Sequence, residues 1–406
     1  MAENASTINW DKSVDILVVG SGNGALTTAL CSHEMGVKDV LVIEKEDQFG
    51  GSSSISGGGV WIPCNRYALE AGTEDSIADA KSYLSSVIPT GTVPEDLIDV
   101  YLAEGPNMVD FLHDHTRVRY ESLAYYPDYY SDAPGARGGH RSMEPAKLNL
   151  SDLGEDWKKL RNTHHMMWLF IRVAYNEGEA GTLAARAPGW IKLAIKLMLQ
   201  YISDIPWLFK SPRSRIVACG MAGVGRLRLS MMDRNMPLWL NTELKELISD
   251  DNGKVIGALI ERDGKTLHIE ARKGVVLACG GFEHNQSMRE QYLPQPTNSQ
   301  WSAGHFGNTG DGIKAAEKVG AELTMMDGAW WCATIKVPAE ERPRLSIMEK
   351  SMPGNVLVTP AGKRIANESE NYMAYQTNWH NSHSDEKPST PAYMVFDNRF
   401  RNSYLS

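Results

Sequence analysis

The chain has no CxxC pair and no Cys/His cluster at metal-ligand spacing. Its five cysteines, Cys31, Cys64, Cys219, Cys279 and Cys332, are scattered and odd in number. That argues against a disulfide framework and a structural metal, and fits reduced thiols in a cytoplasmic protein. Positive charge is also scarce. Lys and Arg total 41 against 50 Asp and Glu, leaving a net charge of −9, so a nucleic-acid surface is not expected. There is no low-complexity tract. The opening MAENASTINWDK is polar and acidic, without the apolar stretch of a secretory signal. One nearly all-apolar segment, WIKLAIKLMLQYISDIPWLF at 190–209, carries Lys192, Lys196 and Gln200 four residues apart. It also holds Asp204 and Pro206, which make it a poor transmembrane span. It reads either as a buried helix or as an interfacial helix lying on a bilayer with its lysines snorkelling to water, a peripheral membrane contact.

What is present is globular: 42% apolar and 22% charged residues over 406 positions, more than one ordinary core accommodates. VDILVVG (14–20) is a continuous apolar run, as in a strand buried on both faces of a parallel sheet. A helical pattern runs from Ala25 to about Met35 and stops at Gly36, and VLVIE (40–44) is a second apolar strand. This is a βαβ unit. Residues 243–271 contain three strand-like runs separated by Asp251-Asn252-Gly253 and Asp263-Gly264, an antiparallel meander. GVVLACGG (274–281) then reads as another parallel strand. Residues 151–215 look like an insertion, and after about Asp327 the pattern changes to mixed α/β with loops.

Gly20-Ser21-Gly22-Asn23-Gly24-Ala25 satisfies G-x-G-x-x-G/A between that strand and helix. Gly20 permits the tight turn, Gly22 a close approach to a pyrophosphate, and Ala25 close helix packing, with the helix N-terminus facing the phosphates. Glu44 ends the second strand, where a carboxylate accepts the ribose hydroxyls of a dinucleotide. The alternative is a tight strand-to-helix turn that binds nothing. GGSSSISGGG (50–59) lets the backbone run beside a large flat ligand; its alternative is a flexible loop.

Glu44-Lys45 followed by GGSS and SGGGVWIP resembles the flavoproteins of the fumarate reductase and 3-ketosteroid dehydrogenase group, as do GVVLACGGFEHN (274–285) and GNTGDGI (307–313). Within that group VWIP (60–63), PDYY (127–130) and NESENY (367–372) resemble the 3-ketosteroid Δ1-dehydrogenase family along nearly the whole chain, least so at 151–215. The resemblance implies an α/β fold. It consists of a Rossmann-like FAD-binding domain with an antiparallel β-meander at 1–328, and the start of an α+β catalytic domain at 329–406 whose C-terminal part this chain does not contain. The glycine fingerprint and the resemblance together give a cofactor set of Gly20, Gly22, Gly24, Ala25, Glu44, Lys45, Gly51, Ser52, Ser53, Ser56, Gly57, Gly58, Leu244, Ala278, Gly280 and Asp311. Asp311 is also expected to be a helix N-cap rather than a catalyst.

The resemblance further implies removal of a C2 proton and a C1 hydride from a 3-ketosteroid, with an external electron acceptor. Tyr372 would be the base and Tyr129 the phenol that hydrogen-bonds to it and relays the proton. A neutral tyrosine is cheap to bury in an apolar pocket, where a carboxylate is not. Related alternatives are a Δ4-(5α)-dehydrogenase, an enoate oxidoreductase of the fumarate reductase kind, or an inactive flavin-binding fragment. Tyr125, Tyr126 and Tyr130 are expected to be aromatic packing. Trp330 and Trp331 are expected as pocket wall or core. His140, His164, His165 and His305, lacking acidic or cysteine partners at useful spacing, are expected to be structural or solvated.

Overall fold

The computed structural model describes residues 8–170 and 172–404; the first seven residues of the polar N-terminal stretch lie outside them. The first strand, β1 (Lys12–Val19), leads through a glycine turn into α1 (Asn23–Glu34) and then β2 (Val40–Ile43) and the short α2 (Gly51–Ile55). Much later come α3 (Cys219–Met232), β3 (Leu238–Trp239), β4 (Thr242–Ser249), β5 (Val255–Arg262), β6 (Lys265–Leu277) and α4 (Asp311–Lys318). The strands form one sheet in the order β3-β2-β1-β6-β5-β4. Its first four strands run parallel, and β6, β5 and β4 pair antiparallel. The α/β class, the βαβ unit and the meander are as expected. The separate strand expected at 274–281 is not separate. β6 runs unbroken for 13 residues, pairing Lys265–Glu270 with β5 and Ile269–Leu277 with β1. Its two ends have different partners, so the alternation of the meander half passes directly into the apolar run of the parallel half.

The apolar runs are explained by two cores. Alternate residues of a strand face opposite sides. Val18, Val40 and Val42 join α1 and α3 residues such as Leu26, Leu30 and Val224. Leu17, Val19, Leu41 and Ile43 join Leu244, Ile260 and Ala315 on the other side. A strand with cover on both faces leaves little room for polar residues, and β1 has none after Asp15.

Contacts divide the chain into two compact units, with boundaries that composition does not mark. The first comprises the chain up to Asn176, Pro206–Phe282 and His305–Leu323; the second comprises Glu177–Ile205, Glu283–Gly304 and Thr324 onward. The 151–215 segment is therefore not one insertion. Leu150, Leu153, Leu160 and Trp207 are buried in the main core of the first unit, while Glu177–Ile205 falls in the second. Within the second unit, β7 (Asn355–Val358) pairs antiparallel with β8 (Tyr393–Phe396) beside α5 (Tyr372–Asn381). Leu357, Tyr375 and Trp379 form its core.

The apolar stretch at 190–209 is a helix only over Trp190–Ile202, followed by a short turn of helix at Ile205–Leu208. The buried-helix reading fails: Leu197 is the one buried residue of the first helix. Ile191, Ile195, Leu199 and Ile202 are 57%, 54%, 55% and 51% exposed. No helix among the described residues is long and apolar enough to cross a membrane.

The start of α3 lies against α2 and the loop after it. A Cβ on Gly220 would overlap the Ser53 carbonyl oxygen and come within 2.8 Å of Ser56 Oγ, and one on Gly58 would lie 2.5 Å from the Gly220 nitrogen. Backbone cannot yield as a flexible side chain can. Gly220→Ala should destabilise the fold by about 3 kcal/mol or more, read as a lower denaturation midpoint. An unchanged midpoint would refute this packing.

Candidate functional site

A cleft of ≈ 760 Å³, open to solvent, lies beyond the carboxyl ends of β1, β2 and β6. β2 and β6 lie on opposite sides of β1, so this is the crevice at which open α/β sheets bind ligands. The glycine loop forms one wall. Gly20 has φ +107° and donates its N–H to Ile43 O at 2.8 Å, and a Cβ there would overlap the Ala278 carbonyl. Nothing stands within 4 Å of a Cβ at Gly24 or Gly51, both on the lining. The α1 N-terminus has no side-chain cap and no acidic residue in its first turn, which suits an anion.

Glu44 is buried at the end of β2. Ser21 Oγ donates to its carboxylate, and the Glu46 N–H does so at 3.1 Å. Burial lifts its pKa above the ordinary carboxylate range, against the opposing pull of those hydrogen bonds. Ser21 Oγ also accepts from Gly50 N at 2.9 Å, and Ser53 Oγ accepts from Asn23 N at 3.0 Å, so two serines tie the glycine loop to α2. Asn23 Oδ1 is buried on this lining without a hydrogen-bond partner, a polar group left for a ligand.

Of the expected cofactor residues, Gly20, Gly22, Gly24, Glu44, Lys45, Gly51, Ser52, Ser53, Leu244, Ala278, Gly280 and Asp311 come together on the cleft. Ala25, Ser56, Gly57 and Gly58 do not line it. Ala25 is fully buried in the core. Ser56 Oγ donates to Ser53 O and accepts from Gly58 N, shaping the turn, and Gly58 packs on Gly220. Asp311 is not the N-cap. Gly310 holds that position, and the Asp311 carboxylate takes hydrogen bonds from Lys45 Nζ at 2.5 Å and Thr309 Oγ1 at 2.7 Å. Burial pushes its pKa up, but these donors outweigh that and leave it below the usual value.

His305 is on the lining too, its Nε2 3.2 Å from Glu46 Oε1, so it does have an acidic partner. That carboxylate also receives Arg161 at 2.7 Å. The pairing joins residues 259 positions apart, which no local spacing reveals. Ser52 Oγ accepts from His305 N at 3.1 Å and Asn308 Nδ2 at 3.0 Å, another pair without a sequence signal.

The PDYY turn is built around its acid. Asp128 is buried and accepts from Trp61 Nε1 at 2.7 Å, Arg141 Nη1 at 2.8 Å and Arg137 N at 2.9 Å. Arg141, also buried, grips Asp75 through two hydrogen bonds at 2.9 and 2.8 Å. Its surroundings tend to lower the guanidinium pKa by burial, but the two carboxylates more than restore it. VWIP and PDYY are thus joined by one indole-carboxylate bond. Removing either ion of such a buried network typically costs about 3–5 kcal/mol. Tyr129 stands half-buried on this turn, its hydroxyl 3.5 Å from that of Tyr126. The packing role expected of Tyr125 is not seen, for it is 97% exposed, and Tyr130 is exposed as well.

In the second unit Tyr372 is the first residue of α5, behind Asn371, whose side chain caps the helix by accepting from Ala374 N at 2.9 Å. The buried Lys350 fixes the segment before it, donating to the carbonyls of Glu368 at 2.8 Å and Glu370 at 2.5 Å. Burial lowers the Lys350 pKa. Among the described residues no cluster of three or more His, Cys, Asp or Glu could hold a metal, and none of the five cysteines forms a disulfide.

The chain matches the FAD binding domain family over residues 15–406. It is 36% identical over 401 residues to the 3-oxosteroid 1-dehydrogenase of Mycobacterium tuberculosis, covering 96% of this chain and 69% of that one. To the 4-oxocyclohexanecarboxylate 2-dehydrogenase of Sinomonas cyclohexanicum it is 32% identical over 404 residues, covering 96% and 65%. The solved structure of 3-ketosteroid Δ1-dehydrogenase from Sterolibacterium denitrificans, in complex with 1,4-androstadiene-3,17-dione, matches with a TM-score of 0.93 at 39% identity, over 97% of this chain and 70% of that one.

The cleft fits FAD through its side-chain-free glycines, a helix N-terminus with no acidic residue in its first turn and a carboxylate at the β2 end. Glu44→Gln should weaken FAD binding by about ten- to a hundredfold, the worth of hydrogen bonds to a charged acceptor, measured by flavin fluorescence quenching. The carboxylate is the accepting form and its pKa is raised. Affinity of the parent protein should therefore fall as pH drops through a range above that of ordinary carboxylates, and the variant should lose that dependence. Equal affinity of the two proteins across pH would remove Glu44 from the site.

Proposed function

The chain belongs to the FAD-binding flavoprotein family that includes the 3-oxosteroid 1-dehydrogenases, and on that premise we propose that it is an FAD-dependent dehydrogenase introducing a C1–C2 double bond into 3-ketosteroids. The observation that carries this reading is the 36% identity to such an enzyme over 401 residues. Two hydrogens leave the steroid: a proton from C2, beside the ketone, and a hydride from C1. FAD, when bound, supplies the hydride acceptor, and an external acceptor takes up the electrons afterwards.

The residues proposed for the proton are tyrosines. A free phenol has a pKa near 10 and becomes a usable base when hydrogen bonds favour the phenolate. Tyr372 is the base, set by the Asn371 cap and the Lys350-held segment before it. Tyr129 is the second phenol of the relay, set by the Asp128 network. The indole, the guanidinium and the Arg137 N–H hold the Asp128 carboxylate, so its role is to orient the turn.

We also propose that the partner of Trp190–Ile202 is an anionic lipid surface. Its exposed stripe of Ile191, Ile195, Leu199 and Ile202 is flanked by the exposed Lys192 and Lys196, apolar insertion beside cations that face phosphate.

Anaerobic addition of a 3-keto-4-ene steroid should bleach the bound flavin, and succinate should not. Tyr372→Phe should slow that bleaching by about 10²–10⁴-fold with the flavin retained; bleaching at the parent rate would remove Tyr372 as the base. For the lipid surface, the protein should sediment with vesicles containing phosphatidylserine and be released by salt or by Ile195→Asp with Leu199→Asp. Equal sedimentation of parent and double variant would refute this contact.

A further inference from the structure

Trp330 sits in the segment before β7 and is 75% exposed. A tryptophan that exposed contributes little to a core, yet its polar atom is committed. The indole Nε1 donates to Tyr372 Oη at 2.9 Å, and the two rings lie 6.5 Å apart at 14°, nearly parallel. The next residue is anchored as well: Trp331 donates its N–H to Met373 Sδ at 3.1 Å and packs its ring 4.5 Å from that of His380. The 330–331 segment is therefore docked on the first turns of α5 at Tyr372 and Met373.

Three charged groups near this part of α5 have hydrogen-bond partners of their own. Lys350 is turned to the carbonyls of Glu368 and Glu370 and lies 5.0 Å from the Tyr375 ring centre. Glu368 pairs with Arg364 at 2.6 Å, and Glu370 accepts from Asn378 at 3.3 Å. The indole N–H that donates to the Tyr372 oxygen is itself neutral. An indole nitrogen donates and cannot accept, so it has no competing role as a proton acceptor at this oxygen.

We propose that Trp330 is a positioning residue for Tyr372: its N–H fixes the phenol oxygen and stabilises the phenolate over the phenol. This rests on the assignment of Tyr372 as the base. A hydrogen bond to the ionised form is stronger than the same bond to the neutral form, and so it favours ionisation. The nearly parallel indole ring lies beside the phenol, and the N–H holds the phenol oxygen in place. Tyr372 then presents to the proton at C2 an oxygen whose ionised form is favoured by a neutral donor.

The test uses the full chain with Trp330→Phe, which keeps a ring in place and deletes the N–H. Because the side chain is largely exposed, the variant should fold, checked by its denaturation midpoint. The ultraviolet phenolate signal that is lost in Tyr372→Phe reports Tyr372 alone. In Trp330→Phe that signal should move to higher pH by about one unit. Flavin reduction by the steroid should show the same upward shift of its alkaline-activating limb, slowing roughly tenfold below it and recovering at high pH. An unmoved Tyr372 titration would overturn the proposal. A shifted titration in a protein whose flavin no steroid bleaches would uphold the hydrogen bond and instead overturn the assigned reaction.

Discussion

The close approach of Gly20 to Ala278 is the constraint on which the first unit depends. The ends of β1 and β6 meet there with no room for a Cβ on Gly20. That contact brings the β1-α1 turn and the glycines after β6 to one crevice. It also aims the N-terminus of α1 across the end of β2, where Glu44 lies. Any side chain at this point would push the strand ends apart. The serines then act as ties. Ser21 bridges Glu44 and the Gly50 N–H, and Ser53 holds the Asn23 N–H, so hydrogen bonds tie the glycine loop to α2. Cofactor affinity and fold stability therefore draw on the same few contacts.

A second kind of control is exerted on the tyrosines. In the first unit a buried carboxylate, Asp128, is surrounded by an indole, a guanidinium and a backbone N–H. In the second a buried ammonium, Lys350, is surrounded by carbonyls. Each is a buried charge whose hydrogen bonds organise irregular backbone next to a phenol. Neither replaces a packed core. Both convert the desolvation cost of a charge into rigidity of a loop, because every donor or acceptor lost would leave that charge poorly compensated.

Much of this was legible along the chain. G-x-G-x-x-A between a strand and a helix, an acid ending the next strand and Asp-Gly turns between alternating runs are local patterns, and local patterns are set by backbone geometry and side-chain periodicity. Their outcome is the parallel strands, the meander and most of the cleft lining. The aromatic motifs were legible only as a likeness to a known family, since nothing in PDYY by itself separates Tyr129 from its three neighbours.

What the tertiary structure decided is which distant residues share a charge or a face. His305 and Glu46, Trp61 and Asp128, and Trp330 and Tyr372 are pairs separated by 259, 67 and 42 positions. It also decided that β6 is one strand with two sets of partners, that residues 151–215 divide between two units, and that the apolar helix at 190–202 keeps its isoleucines in the open. Periodicity says that a helix has an apolar face. Whether that face is covered depends on what the rest of the chain brings to it, and that is a property of the folded surface rather than of the sequence.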